Sequence, residues 1–222
     1  MFGIVDAEVF IPQTRISVGE MAALSGETET KLFSYLQVEE KPILDSNNDI
    51  FELGFLAAQK LLERWPQVSQ KIRLVVTGTT FQDRKLVWYP SAVAIKRLGL
   101  SNSFGFDLQH GCGSAILSMN ICKSWMAGKD GYALIILSDR LSELIDYQDV
   151  NHKCIFNFAD GASAILLGSD TSDVKLEIGY SEFSTDATLA ESQFLNRAEK
   201  FLWINDANLN KDNQNFRRHH CL

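Results

Sequence analysis

The sequence is poor in the features that mark secreted, metal-binding and membrane proteins. Its 222 residues include four cysteines, and no two of them have the close CxxC spacing of a zinc site. No run of about 18 apolar residues occurs, so no membrane-spanning helix is expected. The N-terminal stretch MFGIVDAEVFIPQ lacks the basic start and long apolar core of a signal peptide. We therefore predict a cytoplasmic protein with reduced thiols, no metal and no other cofactor.

Positive charge is also scarce. Lys and Arg number 21 against 28 Asp and Glu, which gives a net charge of −7. A nucleic-acid-binding protein typically shows a basic stripe, so neither nucleic acid nor a membrane is an expected partner. Hydrophobic residues make up 45% of the chain, which is enough to bury the core of one domain.

Short apolar runs alternate with helical patterns along the first 185 residues. The patterns predict strands at 1–11, 73–80, 104–108, 132–139 and 162–170, and helices at 49–65, 90–98 and 112–128. Helices between strands indicate parallel crossovers, whereas the last two strands have no long helix between them. We predict an α/β fold in residues 1–185, with a mixed five-stranded sheet and helices on both faces. An irregular or poorly ordered tail is predicted for residues 186–222.

The segment DLQHGCGSA places Cys112 between two glycines at the predicted start of a helix. The free N–H groups and partial positive charge of a helix start stabilise a thiolate, which favours a nucleophile. The other interpretation is a small cysteine packed under a turn. The helix after this turn is apolar on nearly every face, so we expect a buried helix, starting at Cys112, that is covered on both sides.

Four separate pieces resemble the β-ketoacyl-ACP synthase III family of the thiolase superfamily. In chain order they are VVTGTT with YPSAVAIKRLGL, GFDLQHGCGSA, YALIILSDRLS and FNFADGASAILLGSD. In that family an Asp lies five residues before the catalytic Cys, as Asp107 lies before Cys112. A Phe-x-Asp-Gly-Ala-x-Ala turn also precedes the last strand of the family's first half, as residues 158–164 do here. The resemblance extends over residues 1–185 and covers the N-terminal half of such a synthase.

The resemblance implies that Cys112 is the catalytic residue, which accepts an acyl group as a thioester. It also implies three substrate-binding residues, Tyr89, Phe158 and His152. Tyr89 stands where the family has a Phe that crosses the dimer interface into the partner's acyl pocket. His152 stands where the family has an Arg that grips coenzyme A, and Phe158 belongs to the Asp-Gly turn. The other interpretation of Phe158 is ordinary packing beside a tight turn.

Two neighbours of Cys112 are interpreted as structural. His110 lies two residues before the cysteine, but a residue before a helix start usually points away from it, and the resemblance places the family's base elsewhere. Asp107 ends a predicted strand, where a carboxylate typically orients a turn through backbone hydrogen bonds.

Two functions from different classes remain open. The first is a synthase III-like acyltransferase of fatty-acid or polyketide C–C condensation, using an acyl-CoA or acyl-carrier-protein thioester. The resemblance assigns a His, an Asn and a second oxyanion donor to a second half, so we expect these residues to be inactive or incomplete alone. The second is a non-catalytic partner subunit of a complete synthase; a remnant of a disrupted gene is a less favoured third. We predict a homodimer or a heterodimer with a homologous chain.

Overall fold

The computed structural model describes residues 1–45, 49–80, 88–169 and 172–189. The chain divides into two compact units. The first comprises residues 1–12, 44–140 and 160–181, and the second comprises 13–43, 141–159 and, among the described residues, 182–189. Most of the predicted tail of residues 186–222 lies outside the described residues, and its boundary stays a prediction.

The first unit is an α/β unit built around one sheet. Its described strands are β1 (Gly3–Phe10), β4 (Ile72–Thr79), β5 (Phe104–Gln109), β6 (Tyr132–Arg140), β7 (Asp160–Gly168) and β8 (Leu176–Glu177). Its described helices are α3 (Ile50–Arg64), α4 (Pro90–Arg97) and α5 (Ser114–Met126). None of the helices in the described ranges is long and apolar enough to cross a membrane.

The sheet is mixed, as predicted, but the described part has six strands instead of five. The strand order is β5-β4-β6-β7-β1-β8. Strand β4 pairs in parallel with β5 and β6, while β7 is antiparallel to β6 and β1, and β8 is antiparallel to β1. The helices α4 and α5 supply the crossovers of the parallel strands. The sixth strand, β8, has only two residues, which is too short to leave an alternating pattern in the sequence.

Helices cover both faces of this sheet, as expected. One face packs against α3 and α4, with Val75, Leu134 and Leu166 among the buried strand residues. The other face packs against α5, through Leu74 and Ile135 among others. Neighbouring strand residues point to opposite faces, so strands covered on both sides consist of continuous apolar runs.

Helix α3 forms where the sequence predicts it. Asp49 is the N-cap, and its carboxylate accepts a hydrogen bond from Phe51 N at 3.0 Å. Pro66 follows the helix end at Arg64 by two residues. The apolar face of the helix, which includes Phe55 and Leu61, is buried against the sheet.

Helix α5 differs from its prediction in two ways. It begins at Ser114, because Gly111–Gly113 form a short 3₁₀ turn and Cys112 lies in that turn. It is not buried on every side, since its buried residues form one stripe. Ile116, on another side of the helix, is 55% exposed. One sheet can cover only one side of a helix, and the described residues supply no layer for the other side.

The second unit contains elements that the sequence patterns did not predict. They are β2 (Arg15–Ser17), α1 (Val18–Ser25), α2 (Glu29–Leu36) and β3 (Glu40–Pro42). A capping box starts α1: Glu20 N donates to Ser17 Oγ at 3.2 Å, and Ser17 N donates to Glu20 Oε2 at 2.8 Å. Met21, Leu32 and Phe156 are among the buried residues of its core.

Candidate active site

The structure places Cys112 in a glycine turn that connects β5 to α5. Gly111 has a φ of +55°, a left-handed conformation that favours glycine, so the chain reverses there without steric cost. The turn follows the carboxyl end of β5, which lies beside the carboxyl end of its parallel neighbour β4. This edge of an open α/β sheet is where ligands commonly bind.

Hydrogen bonds hold both ends of this turn. His110 N donates to the buried Ser114 Oγ at 3.1 Å, and Gly113 N donates to His110 O at 3.2 Å. The His110 ring also packs over Gly113, where an added Cβ would lie 2.8 Å from ring Cδ2. These contacts agree with a structural role for His110.

Cys112 is the exposed thiol among the three cysteines in the described residues. Cys122 is 0% exposed, and burial raises the pKa of its thiol to about 12, so Cys122 stays protonated and unreactive at neutral pH. Cys154 is half-buried. The N-terminus of α5 has no side-chain cap among the described residues, and Ser114 N donates to Gly111 O of the preceding 3₁₀ turn. An exposed thiol two residues from such a terminus has the geometry of a nucleophile.

Asp107 makes backbone hydrogen bonds, as expected, but it orients α4 instead of the Cys112 turn. Its Oδ1 accepts hydrogen bonds from Ser91 N at 2.8 Å and from the hydroxyl of Thr77. Ser91 is the second residue of α4, so Asp107 joins β5, β4 and the start of α4. Tyr89 immediately precedes α4, and its side chain is 68% exposed.

The structure adds Asp139, which sequence reasoning missed. It lies near the end of β6, where it accepts hydrogen bonds from Thr80 N at 2.7 Å and Thr79 Oγ1 at 3.1 Å. Burial raises the pKa of the Asp139 carboxyl, although these hydrogen bonds oppose the shift. An Asp at the carboxyl end of a continuous apolar strand is the one local signal for it in the sequence.

His152 and Phe158 belong to the second unit. His152 is 0% exposed, and its Nδ1 accepts a hydrogen bond from Asp146 N at 2.7 Å. The ring therefore holds the backbone of its own loop. Phe158 is half-buried, and its carbonyl oxygen accepts a hydrogen bond from the buried Lys41 Nζ at 2.7 Å. The substrate-binding roles of both residues stay predictions.

Residues 106–187 match the family model of 3-oxoacyl-[acyl-carrier-protein (ACP)] synthase III. Over 169 residues the chain is 28% identical to the β-ketoacyl-[acyl-carrier-protein] synthase III 1 of Bacteroides thetaiotaomicron, a match that covers 74% of this chain and 49% of that protein. The synthase III of Laribacter hongkongensis is also 28% identical, over 163 residues, with 72% of this chain and 50% of that protein covered.

Solved structures show the same fold. The synthase III of Aquifex aeolicus VF5 superposes with a TM-score of 0.80 at 18% identity, covering 98% of this chain and 67% of that one. The priming β-ketosynthase of the R1128 polyketide pathway superposes with a TM-score of 0.68 at 23% identity, covering 76% of this chain and 50% of that one. These similarities in sequence and in fold agree on one family, that of 3-oxoacyl-[acyl-carrier-protein] synthase III, and on its N-terminal half.

The chain spans about half the length of the curated relatives it matches. The part matched by the family model includes Cys112, His152 and Phe158, whereas Tyr89 lies before it. The mixed sheet and its helices correspond to the N-terminal half of the family's fold.

Proposed function

We propose that this chain provides the acyl-accepting half of a condensing enzyme, with Cys112 as the nucleophile. The donor is an acyl-CoA or acyl-carrier-protein thioester. The observation that carries the proposal is the exposed Cys112 thiol, held in a glycine turn immediately before α5. The curated relatives add support, because they are named as β-ketoacyl-[acyl-carrier-protein] synthases.

The chemistry is a transfer between two thiols without oxidation or reduction. The Cys112 thiolate attacks the carbonyl carbon of the donor thioester, and a tetrahedral oxyanion forms. The amide of Cys112 is a suitable donor to that oxyanion, and such a donor typically contributes about 100- to 1,000-fold in rate. The bond between the carbonyl carbon and the donor sulfur then breaks. The donor leaves as a thiolate and is protonated, while the acyl group stays on Cys112 Sγ.

The subsequent condensation in such an enzyme needs groups that activate a second acyl unit. The resemblance assigns those groups to the other half of the fold. We therefore expect a protein of these 222 residues to become acylated but to condense acyl groups at a negligible rate. Condensation by the purified chain at rates near those of its full-length relatives would contradict this expectation.

Intact-protein mass spectrometry tests the acylation. The purified chain is incubated with a short or medium acyl-CoA and, separately, with the acyl-carrier-protein thioester. We expect a mass increase of one acyl group in the wild type and in Cys154→Ala, the matched control at a half-buried thiol, but none in Cys112→Ala. Acylation of Cys112→Ala, or none of any protein, would refute the assignment.

The exposed edge of the sheet supports an association with a second copy of this chain. Among the described residues, β5 is the outermost strand of the sheet and pairs with β4 on one side. Phe104 on this strand is 57% exposed and stacks on Trp125 of α5 with ring centroids 6.5 Å apart. A strand edge that no described strand covers, beside exposed aromatic rings, is a site for strand pairing between chains. We propose that two copies pair along β5, with the exposed Tyr89 ring next to the interface.

Light scattering tests this association. The wild type is expected to be a dimer at micromolar concentration, and Phe104→Glu is expected to shift it to monomer. Tyr180→Glu is the control, because Tyr180 is 89% exposed and belongs to no strand. A wild-type monomer that binds no hydrophobic dye would contradict the proposal.

The same exposed edge favours one alternative function, that of a non-catalytic partner of a complete synthase. In that case the chain would form a stable complex with a full-length homologue, and no donor would acylate Cys112. The mass measurement therefore separates the two functions.

A further inference from the structure

The carboxyl end of β4 makes hydrogen bonds on two sides, as a donor on one and as an acceptor on the other. Asp139 on β6 accepts from Thr80 N at 2.7 Å and from Thr79 Oγ1 at 3.1 Å. On the other side, Ser114 Oγ donates to Thr79 O at 3.4 Å, and Gln109 Nε2 donates to Thr80 O at 3.4 Å. The two threonines therefore connect the Asp139 carboxyl to the segment that carries the nucleophile.

Ser114 forms the last step of this connection. Its side chain is buried, and its hydroxyl accepts from His110 N while it donates to Thr79 O. A serine hydroxyl has one proton to donate. Ser114 donates this proton to the Thr79 carbonyl on β4, and one of its lone pairs accepts the hydrogen bond from His110 N in the turn. One hydroxyl thus ties both ends of the 110–114 turn, with Cys112 in the middle, to the end of β4.

We propose that Asp139, Thr79, Thr80 and Ser114 form a positioning network that holds Cys112 at the N-terminus of α5. Asp139 acts through the end of β4 and Ser114 through the backbone of the turn, so both are positioning residues and not catalytic ones. This proposal rests on the proposed function, because a network that fixes the position of Cys112 is needed only if Cys112 is a nucleophile. The network itself concerns the geometry of a thiol and can be tested without any acyl transfer.

The test is the rate at which iodoacetamide alkylates Cys112, followed by mass spectrometry of the peptide that contains it. Loss of one such hydrogen bond changes the population of the correctly held turn by about two- to tenfold. We expect Asp139→Ala and Ser114→Ala to lower the alkylation rate by that factor. Asp139→Asn should keep the wild-type rate, because its amide oxygen can still accept from Thr80 N.

Ser103→Ala is the matched control. Ser103 Oγ donates to Ile72 O at 2.9 Å, so this variant loses the same kind of bond at the opposite end of β4. If the network holds Cys112, Ser103→Ala should keep the wild-type alkylation rate even if this variant is less stable than the wild type. Equal slowing in Ser103→Ala and Ser114→Ala would overturn the proposal, and so would Asp139→Asn as slow as Asp139→Ala.

The Ser114 and Ser103 pair decides the question even where Asp139→Ala fails to fold. The two proposals also fail separately. A chain that no thioester acylates, but whose Cys112 alkylation follows the expected order of variants, contradicts the proposed function and supports the network.

Discussion

Asp107→Ala tests whether the acidic residue five positions before Cys112 is structural. Asp107 Oδ1 accepts from the Thr77 hydroxyl and from Ser91 N, and Ser91 is only 2% exposed. The variant removes both bonds and leaves a buried amide without this acceptor. A hydrogen bond to a charged group contributes about 1.5–3 kcal/mol, and here two donors share one oxygen. We therefore expect the free energy of unfolding to fall by about 2–4 kcal/mol, a large part of the total of an ordinary domain.

Urea unfolding followed by circular dichroism measures this loss. Asp107→Asn keeps an acceptor oxygen, so its free energy of unfolding should fall by about 1 kcal/mol or less and Cys112 should still be acylated. Asp130→Ala, an exposed carboxylate, should stay within about 0.5 kcal/mol of the wild type. A structural role for Asp107 is excluded if Asp107→Ala is as stable as Asp130→Ala. Loss of acylation in the folded Asp107→Asn would also exclude it, because that loss would indicate acid–base chemistry.

Two further predictions concern packing and pH. Gly54→Ala in α3 would place a Cβ 2.7 Å from Ile136 Cγ2 and closer still to Ser138 Oγ. We expect this clash to outweigh the higher helix propensity of alanine and to lower the free energy of unfolding by about 1–2 kcal/mol. Gly19→Ala is the control, because its new Cβ has its nearest neighbour at 3.5 Å and should not lower the melting temperature. Equal melting temperatures for Gly54→Ala and Gly19→Ala would contradict the clash. The raised pKa of Asp139 means that the folded state binds its proton more tightly than the unfolded state, so its contribution to stability falls as pH rises above 3.8 through the folded-state pKa. Asp139→Asn should remove that fall from the pH profile of unfolding, and an unchanged profile would show that this carboxyl is not its source.

Most of the first unit could be predicted from the sequence because its elements are long and strongly patterned. Strands β4, β6 and β7 have eight or nine residues and continuous apolar runs, and α3 is amphipathic with an Asp49 cap. These are local patterns that can be recognised in the sequence. The second unit has helices of eight residues and strands of three. Elements that short depend on tertiary contacts, so their patterns are weak.

The site was predictable only in part, for the same reason. Cys112 is identified by its flanking glycines, since the positive φ of Gly111 favours glycine and the His110 ring leaves little room for a side chain at Gly113. The importance of Asp139 depends on Thr79 and Thr80, about 60 residues earlier, and parallel pairing of β4 with β6 brings them together. The burial of His152 likewise depends on the loop that folds around it. No spacing rule in the sequence encodes these contacts.

The most direct test of the account is to locate the acyl group after the chain has reacted with an acyl thioester. The modified protein is digested, the acylated peptide is sequenced by tandem mass spectrometry, and a second sample is treated with neutral hydroxylamine, which cleaves thioesters. We expect one acyl group, on Cys112, that hydroxylamine removes. An acyl group on another residue, or one that resists hydroxylamine, would contradict it.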